Sequence, residues 1–93
     1  MLVLVKSGPG TLEGNRGISL AQDMAADLAL IQNGVYFAFA ERLEGFPGTV
    51  YILDEDSKLR GLRDDTIRWD VRKLDYEGLI DAMTEADKVL GMF

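Results

Sequence analysis

Three consecutive carboxylates, Asp54-Glu55-Asp56, follow a short apolar run and form the densest group of chemistry-bearing side chains in the chain. Carboxylates at a strand end can hold magnesium or calcium, as aspartates do in some phosphoryl-transfer sites. Consecutive carboxylates rarely converge on one ion, and acidic residues also suit the first turn of a helix, where they meet the positive end of the macrodipole. Helix capping is therefore the reading taken, and no metal is expected. Paired-carboxylate acid/base work would need two such groups in a shared pocket, and nothing in the spacing singles out a pair.

A second segment, Gly8-Pro9-Gly10-Thr11-Leu12-Glu13-Gly14, follows an apolar run and invites comparison with a phosphate-binding loop. Its third glycine comes one residue late, Pro9 removes an amide from the would-be cradle, and no Lys-Ser/Thr pair follows. A flexible connection accounts for it better than a nucleotide site. The chain contains no Cys and no His. It therefore has no thiolate nucleophile, no persulfide carrier, no disulfide and no imidazole base. No catalytic residue and no cofactor is expected.

Over 93 residues the formal net charge is −6. Such a surface repels phosphate backbones, so direct nucleic-acid binding is disfavoured. Arg60, Arg63, Arg68, Arg72 and Lys73 fall in one stretch, but Asp64, Asp65 and Asp70 interleave with them, which predicts a solvated mixed-charge face. No apolar run approaches the length of a membrane span, and the N-terminus lacks the pattern of a secretory signal, so a cytoplasmic protein of one domain, 1–93, is expected.

The elements that must position these residues follow from periodicity. Leu2 to Val5 reads as a strand buried on both faces. Residues 7–17 read as loop, Ile18 to Ala26 as a short helix, and Leu28 to Ile31 as a second buried strand ending in Gln32-Asn33-Gly34 turn chemistry. Val35 to Leu43 is expected to be helical, Thr49 to Leu53 a third strand, and residues 57–61 a short helical stretch closed by a left-handed Gly61. Ile67, Trp69 and Val71 alternate with charged residues and lead to a fourth strand near Leu74. Tyr76 to Ala86 is the clearest helix, and Lys88 to Leu90 could add a strand at the sheet edge.

Strands alternating with helices imply right-handed crossovers and an α/β fold: three α/β/α layers around a mostly parallel sheet of about four or five strands. Ligands and partners approach the carboxyl ends of such strands. Here those ends carry Lys6 and Ser7, Gln32 and Asn33, Asp54 to Asp56, and Asp75 with Tyr76. Tyr36, Phe37 and Phe39 cover more than one side of their predicted helix, so at least one ring should face a neighbouring element or another chain; Trp69 and Phe93 join them as candidates for an oligomer contact.

Three blocks in order resemble the DsrH/TusB family of sulfur-relay subunits. They are Leu30-Ile31-Gln32-Asn33-Gly34-Val35-Tyr36, then Val50-Tyr51-Ile52-Leu53-Asp54-Glu55-Asp56 continued by Leu59-Arg60-Gly61-Leu62, and Leu74-Asp75-Tyr76. Asn33 stands where the family commonly has Asp. The resemblance implies a DsrE-like, flavodoxin-like fold and a place in a relay that passes persulfide sulfur toward tRNA wobble-uridine thiolation or dissimilatory sulfur metabolism. It also implies DsrE/TusD- and DsrF/TusC-like partner subunits, the first of which bears the cysteine that matters most. The partner or ligand crevice expected from strand ends and matching blocks comprises Gln32, Asn33, Gly34, Asp54, Asp56, Arg60 and Tyr76. A non-catalytic subunit is the function expected; the alternative is a standalone homodimer or homotrimer of the same fold that binds a small ligand in that crevice.

Overall fold

The computed structural model describes residues 1–92, with the backbone alone for Met92. Five strands, β1 (Leu2–Val5), β2 (Asp27–Leu30), β3 (Val50–Leu53), β4 (Arg72–Leu74) and β5 (Val89–Met92), form one sheet in the order β4-β3-β2-β1-β5. Every pairing is parallel; β1 pairs with β2 from Leu2↔Asp27 to Val5↔Leu30 and with β5 from Leu2↔Val89 to Val5↔Met92. Between them run α1 (Leu12–Asp23), a 3-10 helix (Gln32–Ala38), α2 (Asp54–Leu59), a short 3-10 turn (Asp64–Thr66) and α3 (Tyr76–Glu85).

Side chains along a strand alternate between faces, and the central strands are apolar at every position because both faces are covered. Val3, Val5, Leu28, Leu30, Val50 and Ile52 point into one core with Ala21 of α1, Val35, Phe37 and Ala38 of the 3-10 helix, and Leu43, Phe46 and Ile67 of the loops. Leu2, Leu4 and Ala29 point the other way, against Leu79, Ala82, Met83 and Ala86 of α3. The first layer is thick and sealed. The second is a single helix, none of whose residues is fully buried.

The order of the strands explains this division. The chain steps from β1 through β2 and β3 to β4, and α3 then carries it back to β5 at the far edge. Right-handed crossovers travelling in opposite directions must lie on opposite faces. The connections leaving β3 and β4 therefore turn apart, opening a crevice at their carboxyl ends.

Two expectations need correction. Residues 7–17 are not all loop: α1 begins at Leu12, capped by Thr11, whose hydroxyl donates to the Gly8 carbonyl at 2.7 Å and accepts the Gly14 amide at 3.0 Å. Asn15 adds a bond to the Pro9 carbonyl at 2.7 Å. Gly14 serves close packing rather than flexibility, since a Cβ there would collide with the Gly8 and Ser7 carbonyl oxygens. The segment 35–43 is not an α-helix; the 3-10 helix ends at Ala38, and Phe39 turns extended to bridge Ile67. Its apolar residues point in several directions at once, which suits a plug over the sheet rather than an amphipathic helix.

Smaller shifts occur elsewhere. The second strand starts one residue earlier than expected, at Asp27, and α2 takes in the whole acidic triplet. Gly61 adopts φ 68°, as expected of a residue closing a helix. The final strand lies at the sheet edge.

Candidate functional site

The crevice has two halves. In the first, α2 reaches under the turn that follows β2. Asp56 is 7% exposed and its Oδ2 accepts the Gln32 amide at 2.7 Å. Arg60, one turn later, donates from Nε to Asn33 Oδ1 at 2.9 Å, and its Nη1 contacts Asp56 Oδ1 at 3.5 Å. Gln32 has φ 47°, a left-handed conformation costly for a residue with a Cβ. Gly34 then packs directly on β1: its amide donates to Lys6 O at 3.0 Å and Ile31 O at 2.8 Å, and a Cβ there would run into the Val5 carbonyl. Gln32, Asn33, Gly34, Asp56 and Arg60 are thus brought together, but largely as partners of one another.

The second half is open. Asp54, Glu55, Lys58 and Leu59 of α2 face Asp75 and Tyr76 at the start of α3 across a cleft of about 390 Å³. Asp75 caps α3 through a 2.7 Å bond from the Gly78 amide to its Oδ1. Asp54 pairs with Lys58 at 2.9 Å, which raises the lysine pKa, chiefly through that hydrogen bond. The Glu55 carboxylate beside Tyr76 raises the phenol pKa, with desolvation and Asp56 adding to it.

The acidic triplet therefore diverges: Asp54 turns to Lys58, Glu55 to Tyr76, and Asp56 to the Gln32 amide. Among the described residues no group of three or more acidic side chains could hold a metal ion. The interleaved charges pair likewise, as Arg63 with Asp65, Arg68 with Asp70, and Lys73 with Asp64. Arg68 does more, donating from Nη1 to the carbonyls of Leu43 at 2.9 Å and Phe46 at 3.1 Å and so tying down the loop that closes the core.

Lys58 and Leu59 line the open half, and reasoning from strand ends passed over both. Four-residue spacing from Asp54 could have found Lys58. The aromatic candidates separate clearly. Phe37 is spent in the chain's own core, which removes it from any oligomer contact. Tyr36 and Phe39 are half-buried, with Arg42 6.0 Å from the Phe39 ring centroid. Trp69 is 92% exposed. Phe93 lies outside the described residues. None of the helices among those residues is long and apolar enough to cross a membrane.

Comparison with known proteins agrees with this architecture. The ychN protein from E. coli has a similar structure, with a TM-score of 0.83 over 97% of this chain and 96% of its own, at 17% identity. Protein Tm0979 from Thermotoga maritima superposes with a TM-score of 0.66 at 31% identity, covering 94% of each chain. No curated protein matches the chain in sequence. The family described as DsrH like protein matches residues 15–89, from the first turn of α1 into β5. That match takes in both halves of the crevice and strands β2 to β4, and the chain belongs to the DsrH family of sulfur-relay subunits.

Proposed function

We propose that the protein is a non-catalytic subunit of a persulfide-transfer complex of the DsrEFH/TusBCD type. The observation that carries this reading is chemical: a chain with no cysteine has no soft nucleophile on which sulfur can ride. Its contribution is then shape and docking surface, offered to DsrE/TusD- and DsrF/TusC-like subunits, one of which bears the persulfide. The sulfur leaves such a complex toward tRNA wobble-uridine thiolation or dissimilatory sulfur metabolism. The net charge of −6 supports a role without direct contact to RNA.

The test is reconstitution with cysteine-bearing DsrE- and DsrF-like subunits and a radiolabelled persulfide donor. Label is expected on the partner, in a stable complex with this chain, and none on this polypeptide. Covalent sulfur recovered here by mass spectrometry overturns the reading.

A further inference from the structure

The open half of the crevice combines exposed apolar side chains with a rim of carboxylates. Leu59 is 74% exposed, Tyr76 56% and Ile80 61%, so three of the large apolar side chains that remain in water gather around one feature. Leu59 and Tyr76 line the same cleft, and Ile80 extends the stripe by one turn of α3. Apolar side chains gathered in one place within a polar rim are a feature of protein contact surfaces.

The rim has one sign. Asp54, Glu55 and Asp75 line the cleft, while Glu77 and Asp81, both exposed, follow Tyr76 and Ile80 along α3. The lone cation in the lining, Lys58, is engaged by Asp54. A second copy of the chain seated here by two-fold symmetry would bring these carboxylates against their own equivalents, which is unfavourable without compensating cations.

We propose that the α2–α3 cleft is a docking site for a partner-protein segment presenting one apolar side chain flanked by lysine or arginine residues. The apolar side chain enters between Leu59 and Tyr76, and the flanking cations meet Glu55 and Asp75. The inference deepens the docking role proposed above and rests on that role for the existence of a partner, whereas the surface and its chemistry come from the cleft itself.

Three fluorescein-labelled peptides test it: KRKLKRK, its serine counterpart KRKSKRK, and the charge-reversed EDELEDE, each titrated into 15N-labelled protein. The leucine peptide is expected to bind saturably, with amide shifts confined to residues 54–59 and 75–80. The serine peptide and the Leu59→Ser variant should each weaken binding about tenfold, as loss of a central apolar anchor does. The acidic peptide should not bind. Because Leu59 is exposed, its thermal unfolding curve serves as the folding control.

Equal affinity for the leucine and serine peptides, shifts located elsewhere, or no binding of KRKLKRK overturns the proposal. So does self-association of the free protein that Leu59→Ser abolishes, which would assign the cleft to a second copy. Each of these failures leaves the persulfide-labelling result untouched, so the two readings fall separately.

Discussion

Asp56 Oδ2 accepts the main-chain N–H of Gln32 at 2.7 Å, joining α2 to a turn 24 residues earlier in the chain. Gln32 sits at φ 47°, so the bond helps to hold a backbone conformation that the residue would not choose alone. The partner is a carboxylate nearly removed from water and supported by Arg60. An acceptor of this kind is stronger than a neutral one.

Replacing Asp56 with Ala should therefore cost about 1–3 kcal/mol, because the Gln32 amide loses its acceptor and Arg60, which keeps its bond to Asn33, loses the neighbouring carboxylate. Asp56→Asn retains one carbonyl oxygen and should cost less. Urea unfolding of both variants checks the order, and faster amide exchange at residues 32–34 should accompany the loss. Equal stability of Asp56→Ala and the parent chain would show that the bond is incidental.

Gly34→Ala should destabilise by about 1–3 kcal/mol or more, since the new methyl meets the Val5 carbonyl at the carboxyl end of β1, where that oxygen is already held by the Ile31 amide. Gly10→Ala is the matched control. A Cβ there meets nothing within 4 Å. The two midpoints measured in parallel separate crowding from the general effect of losing a glycine in the unfolded chain.

The contrast between these glycines shows what the sequence revealed and what it concealed. Parallel β-strands announce themselves through runs such as Leu2 to Val5 and Leu28 to Leu30, because burial on both faces demands apolar residues throughout. The fold class followed from those runs and from the amphipathic α3. A glycine gives no such signal, since the same residue serves a flexible loop or a tight contact. Gly14 and Gly17 made α1 look like loop, although Thr11 offered a helix cap in plain view. The site was half legible for a related reason. Strand ends pointed to Asp54, Asp56 and Tyr76, but only the path of Asp56 toward the Gln32 amide shows that one half of the crevice is closed by its own bonds and the other half is not.

Raising the pH should loosen the α2–α3 cleft. Tyr76 has its pKa raised, first by the Glu55 carboxylate, and Lys58 has its pKa raised, first by the hydrogen bond to Asp54. For both groups the folded chain keeps its proton at a pH where the unfolded chain has begun to lose it. Their contribution is thus complete below the ordinary tyrosine and lysine pKa values and is lost as pH climbs through the folded ones. Ultraviolet titration of phenolate absorbance, with Tyr76→Phe identifying the band, should show a late-titrating component. Glu55→Gln should bring it earlier, and an unmoved midpoint would count against the pairing.

Trp69 is the single tryptophan of the chain and stands almost wholly in water. Its emission in the isolated protein should be that of a hydrated indole, and Trp69→Ala should change stability by no more than about 0.5 kcal/mol. If Trp69 belongs to a subunit contact, assembly with partner subunits shifts that emission to the blue. Emission that stays unchanged in a complex confirmed by light scattering excludes Trp69 from the contact.

The placement of β1 between β2 and β5 has a consequence during synthesis. A nascent chain can pair β1 with β2 early, across one short helix, but the other flank of β1 must wait for β5 to leave the ribosome. Until then an apolar strand presents an open row of amides and carbonyls, the kind of template on which misassembly starts. For this protein, translation stalled just short of β5 would leave that flank of β1 unpaired.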